Sequence, residues 1–163
     1  MSATAGDSAA ASVYVAVPLQ DAFEVFTAEI DAWWRHGRRF RIAGAKPGRI
    51  FFEQRLGGRL FETVELPSGP KTFESGSVVV WDPPHRLALE WRAVNFKPHE
   101  KTLVEVTFTA AGDGTMVRVE HRGWSTLPGD HPARHGLEGA AFARMIGMWW
   151  GDLLTSLREH VAK

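Results

Sequence analysis

The run Met116-Val-Arg-Val-Glu-His-Arg122 carries the best-placed histidine of the chain, because Val117, Val119 and His121 alternate with charged residues. In a strand that period of two sends His121 to the apolar face, where an imidazole can hydrogen-bond a ligand or move a proton. Glu53 is the second candidate for acid/base work, since a carboxyl group enclosed among aromatic neighbours titrates above its ordinary range. Arg55 and Arg92, near strand ends, are further polar anchors. Arg35, His36, Arg38, Arg39 and Arg41 crowd one loop. Guanidinium groups suit carboxylates and phosphates, so such a loop is either a solvated face or a mouth that attracts an anionic head group. His131 and His135 are four apart, a spacing that can hold a metal on one helical face, but Pro132 and Gly136 interrupt a helix there and no third ligand accompanies them. No metal and no cofactor is predicted. The chain has no Gly-x-Ser-x-Gly elbow, no Gly-rich phosphate loop, no His-Glu-x-x-His pair and no close acid pair, so hydrolase, nucleotide and zinc chemistry lack positive support.

Large aromatics are the other chemically informative set. Trp33, Trp34, Phe51, Phe61, Trp81, Trp91, Phe142 and Trp149, with Ile146 and Leu153, can either fill a core or wall a pocket for a small apolar or aromatic molecule. Taken singly each fits ordinary packing; together they favour a lined cavity. Sequence alone does not say which way the strands carrying Phe51 and Phe61 turn them.

The bulk properties narrow the partners. Basic and acidic residues are equal at 19 each, so no long-range field draws in nucleic acid or an anionic membrane. No run of about 18 apolar residues exists to span a bilayer. The absence of cysteine excludes disulfides, thiol catalysis and thiolate metal sites, and fits a cytoplasmic protein. A chain of 163 residues suits a single domain, expected over residues 12–163, behind a small, polar, disordered tail at residues 1–11.

The elements that must position these residues follow from periodicity. Ser12 to Val17 reads as a strand, and Leu19, Ala22, Phe23 and Phe26 recur at helical spacing behind Pro18. A short helical piece is expected at Glu29 to Trp34. Strands at Arg49 to Gln54 and Arg59 to Glu65 are separated by Gly57-Gly58. Gly76 to Trp91 is a hairpin broken by Asp82-Pro83-Pro84, since two prolines remove two ladder donors. Leu103 to Thr109 and Met116 to Arg122 form another through Ala111-Gly112-Asp113-Gly114. Last comes a helix over Glu138 to Val161, whose stripe reads Phe142, Ile146, Trp149, Leu153 and Leu157, with Trp150 and Val161 on its flank. Strands in hairpins followed by one long helix argue an α+β domain, a curved antiparallel sheet packed on that helix.

Four stretches carry a family resemblance: Trp33-Trp34, Phe52-Glu-Gln-Arg-Leu-Gly-Gly-Arg-Leu-Phe-Glu62, Trp81-Asp-Pro-Pro-His-Arg-Leu87 and Thr115-Met-Val-Arg-Val-Glu-His-Arg-Gly-Trp124. They resemble the START-like, helix-grip superfamily, and within it the homologues of the activator of the heat-shock protein ATPase. The resemblance implies a helix-grip fold with a cavity between sheet and C-terminal helix. It also implies a choice among three functions, because the superfold carries lipid carriers, cyclases and chaperone activators alike. These are non-catalytic binding of a small apolar molecule, association with a protein partner, and a cyclase- or dehydratase-like enzyme using His121 or Glu53.

Overall fold

Alternation of apolar and polar side chains decides the architecture. A computed structural model describes residues 7–93 and 95–163, and in it every inward-facing strand position is apolar or carries a satisfied polar group. Strands β1 (Ser8–Val15), β2 (Gly48–Phe52), β3 (Arg59–Leu66), β4 (Gly69–Asp82), β5 (Arg86–Trp91), β6 (Thr102–Ala111) and β7 (Gly114–Arg122) form one antiparallel sheet in the order β1-β7-β6-β5-β4-β3-β2. Helices α1 (Leu19–Ala28) and α2 (Ile30–Trp33) connect β1 to β2, and α3 (Gly139–Val161) crosses the concave face. This is the α+β helix-grip arrangement.

One face of each strand supplies the core. Val117, Val119 and His121 of β7, Val104, Val106 and Phe108 of β6, and Leu87, Leu89 and Trp91 of β5 are all buried, while Arg118, Glu120, Glu105 and Arg86 pair with one another across the outer face. A bulge between Val78 and Val80 lets Val78 and Trp81 both turn inward, with Val79 left exposed.

Helix α3 seals this face with Phe142, Ile146, Trp150, Leu153, Leu154 and Leu157. Trp150 occupies the centre of the buried stripe and Trp149 its half-buried margin, the reverse of the order expected from periodicity. A one-residue rotation of the stripe accounts for it, since Trp150 finds a hydrogen-bond partner inside and Trp149 finds one at the surface.

Two boundaries differ from expectation. Of the segment expected as a tail, residues 1–6 lie outside the described residues, and Ser8 to Ala11 belong to β1. Alanine has little strand preference of its own; here pairing with β7 and burial of Ala9 override it. Second, β4 starts at Gly69, joined to β3 by a tight reversal at Pro67-Ser68 that adds a hairpin the hydrophobic pattern does not signal.

Candidate functional site

Arg41 organises the first wall of the site. Its side chain is almost wholly buried, and its guanidinium donates to Asp31 Oδ1 at 2.7 Å, to the Asp31 and Trp34 carbonyls at 2.8 and 2.7 Å, and through Nε to the Arg35 carbonyl at 3.1 Å. The loop between α2 and β2 is thereby folded back on itself, with Gly37 and Gly44 at positive φ where the chain reverses. Burial works against ionisation of Asp31. The Ile50 N–H and the Arg41 guanidinium outweigh it and hold that carboxyl below its ordinary range.

Glu62 pins the same loop from the other side. It is buried on β3, and its two carboxylate oxygens accept the backbone N–H groups of Ile42 at 2.9 Å and Ala43 at 2.8 Å. A third attachment comes from α3, where the Trp149 indole donates to the Arg39 carbonyl at 2.6 Å and Arg39 pairs with Asp152 at 3.3 Å.

Between this loop and the β2-β3-β4 end of the sheet lies a cavity of about 770 Å3. Ile50, Leu60 and Val64 form its floor, Phe73 and Ser75 one side, and Trp34, Trp91 and Trp149 the end nearest the core. The three indoles are a unit: Trp34 stacks on Trp91 at 6.4 Å between ring centres, and Trp149 meets both edge-on at 5.9 and 6.2 Å. Phe40 stacks on the outer side of Trp149 at 5.7 Å. Arg38, Arg39 and Lys46 line the loop side.

The aromatics predicted from sequence therefore divide. Trp34, Trp91 and Trp149 line this cavity; Trp33, Phe142, Ile146 and Leu153 are packed into the core between the sheet and α3 and are not among its lining residues. The space between sheet and helix is filled there by side chains, so the opening lies at the end of the grip rather than along its length. Trp81 borders a separate cleft of about 330 Å3 with Phe23, Pro83 and Pro84. Phe61 also borders the larger cavity, while the pleat that buries Ile50, Phe52, Leu60 and Glu62 turns its ring to the opposite face, where it stacks at 5.0 Å on its cross-strand partner Phe51. There Arg59 covers the Phe61 ring at 4.6 Å.

The two candidates for proton transfer are committed elsewhere. His121 is buried among Trp91, Trp124 and Trp150, outside the cavity lining. Because the Trp150 indole donates to Nδ1 at 3.1 Å, the ring proton sits on Nε2, which donates to Thr102 Oγ1 at 2.7 Å. Burial depresses the pKa of His121 to about 3, so it stays neutral near neutrality. Glu53 lies in the β2-β3 loop, where hydrogen bonds from the Arg59 side chain and backbone pull its pKa down to about 2. The raised value expected of an enclosed carboxyl is thus reversed, because the group meets a guanidinium and water rather than an apolar wall. Arg55 sits 3.8 Å from Glu53, and Arg92 is exposed; neither lines the cavity.

His131 donates through Nε2 to Glu100 at 2.8 Å and accepts the Ala133 N–H on Nδ1, while His135 is exposed at positive φ. No group of three His, Cys, Asp or Glu residues able to hold a metal occurs among the described residues. Nor is any helix there long and apolar enough to cross a membrane.

A grip of this shape with this loop invites comparison with known proteins. The model of the family described as "Activator of Hsp90 ATPase homolog 1-like protein" matches residues 16–161. The chain belongs to this family. Among solved structures, a protein from Rhodobacter sphaeroides is similar at 19% identity, covering 99% of this chain and 95% of its own, with a TM-score of 0.65. The Aha1 dimer from Colwellia psychrerythraea is similar at 13% identity, covering 94% and 95%, TM-score 0.62. An HSP90 activator from Plasmodium falciparum is similar at 18% identity, covering 95% and 96%, TM-score 0.62. At such identities the likeness is one of fold. No curated protein matched the chain.

Several residues of the site were not expected from sequence, the aliphatic floor, Phe73 and Lys46 among them; Glu62 and Phe40 are the two that shape the loop. Glu62 had a signal: in Leu60-Phe-Glu-Thr-Val64 an acid takes the inward place between two apolar residues. Phe40 had none, since its role depends on where the loop closes.

Proposed function

We propose that this member of the family is a non-catalytic module that binds a small apolar or aromatic molecule in the cavity beside Trp34, Trp91 and Trp149. The observation that carries the reading is that cavity, drug-sized, floored by aliphatic side chains and ended by three indoles. Burying an eight-carbon chain there is worth about 6 kcal/mol at roughly 0.8 kcal/mol per methylene, equivalent to a Kd of tens of micromolar before ordering costs. The commitment of His121 and Glu53 to packing and to an ion pair supports binding over turnover. A cysteine-free chain suits the reducing cytoplasm.

The test is mass spectrometry of the intact protein under native and denaturing conditions after incubation with a cell lipid extract. A non-covalent adduct present only in the native spectrum, and reduced about tenfold in affinity by Trp149→Ala in a variant with an unchanged circular dichroism spectrum, is the expected result; tenfold corresponds to ~1.4 kcal/mol. An affinity unchanged by that substitution would place the ligand elsewhere.

Family membership favours a second reading, a module that associates with a chaperone. Stimulation of a purified Hsp90-type ATPase by this protein, retained in Trp149→Ala, would move the weight to it.

A further inference from the structure

Five charged side chains line the cavity: Arg38, Arg39, Arg41, Lys46 and Glu62. Three have partners within the fold. Arg41 spends its guanidinium on Asp31 and three carbonyls, Glu62 spends both oxygens on the Ile42 and Ala43 N–H groups, and Arg39 pairs with Asp152. Arg38 and Lys46 remain. Among the described residues they make no ion pair and no side-chain hydrogen bond, although the same chain pairs Arg86, Arg118 and Arg122 with acids across the outer face of the sheet.

We propose, resting on the binding role above, that the ligand joins an apolar or aromatic body to an anionic group, with Arg38 and Lys46 receiving the anion at the mouth. The apolar body lies against Phe73 and the indoles of Trp91 and Trp149. Both residues are exposed at the mouth, so each acts on an anion partly through solvent; what sets them apart from other surface cations is that two charges without a partner border one apolar surface. A neutral ligand gains nothing from them, and a cationic one is repelled. The neutral net charge of the whole chain makes the preference local, set by which residues surround the mouth rather than by a general field.

Two fluorescent probes with the same aromatic body separate the contributions: anilinonaphthalene sulfonate, which is anionic, and N-phenylnaphthylamine, which is neutral. Both are titrated into the wild type, into the double variant Arg38→Gln/Lys46→Gln, and into Arg118→Gln, which removes a cation from the outer face. The expected result is at least tenfold tighter binding of the sulfonate by wild type and by Arg118→Gln, falling to within about twofold in the double variant, with the neutral probe unchanged throughout. Equal binding of the two probes by wild type overturns the anion preference and leaves the cavity standing. A preference that survives in the double variant, or that Arg118→Gln weakens equally, overturns the assignment to Arg38 and Lys46. Binding of neither probe overturns the cavity reading itself.

Discussion

Replacing His121 by glutamine should make the protein less sensitive to mild acid. In the native state the ring accepts from Trp150 and donates to Thr102, and burial keeps it neutral down to about pH 3. The unfolded chain has no such constraint, and its histidine takes up a proton near the ordinary value of about 6.5. Between those values the unfolded state binds one proton more than the folded state, so stability falls as pH falls, by about 1.4 kcal/mol per pH unit. From pH 6.5 to 4.5 the loss from this one group is about 2 kcal/mol, a large share of the roughly 5–15 kcal/mol that holds a domain together. Glutamine can supply an acceptor to Trp150 and a donor to Thr102 while taking up no proton in this range. Urea unfolding at pH 7, 6, 5 and 4.5 should therefore show a steeper decline for wild type than for His121→Gln, the gap closing by about 2.5 kcal/mol. Acids such as Asp31 and Glu105 also lose stability in acid, since both are held below their ordinary values, but they do so equally in the two proteins and cancel. Parallel pH profiles, or an imidazole that titrates near pH 6 by NMR in the folded protein, would refute the account.

Other outcomes follow from the same geometry. Glu62→Ala removes the acceptor for two backbone N–H groups, and should cost about 2–4 kcal/mol in urea while speeding amide exchange at Ile42 and Ala43 ahead of the strands. Arg41→Lys keeps the charge but cannot reach Asp31 and three carbonyls from one planar group; a loss of about 2–3 kcal/mol is expected by thermal unfolding. Leu153→Ala opens a hole in the fully buried centre of α3 and should cost about 3–5 kcal/mol, without the selective loss of ligand affinity expected of Trp149→Ala.

Periodicity made much of the fold legible because the central strands carry their buried residues on one face: Val117, Val119 and His121, or Leu87, Leu89 and Trp91, read inward from sequence and lie inward in the molecule. The tight hairpin at Pro67-Ser68 escaped because β4 is largely exposed before Gly76, so burial leaves no mark on its composition. The site was legible only in part. Its indoles announce themselves by size, but which of them face space depends on the loop that Arg41 and Glu62 fold against the sheet, a long-range arrangement with no local pattern. The same composition hid the fates of Trp33 and Phe142, since a wall and a filled core call for the same side chains.

The pairing of β1 with β7 has a consequence for how the chain comes to be folded. Val15 meets Thr115, so the first strand waits for a partner that emerges about 100 residues later, a closure whose entropic cost grows with loop length. During synthesis at roughly 5–20 residues per second, that leaves β1 without its ladder for some seconds. Val13 and Val15 are exposed in that interval, and the helix that later covers them follows β7 in the chain. Protection of this one sheet edge during synthesis thus depends on the remainder of the domain arriving, and a stall between β6 and β7 would leave an unpaired apolar strand open to other chains.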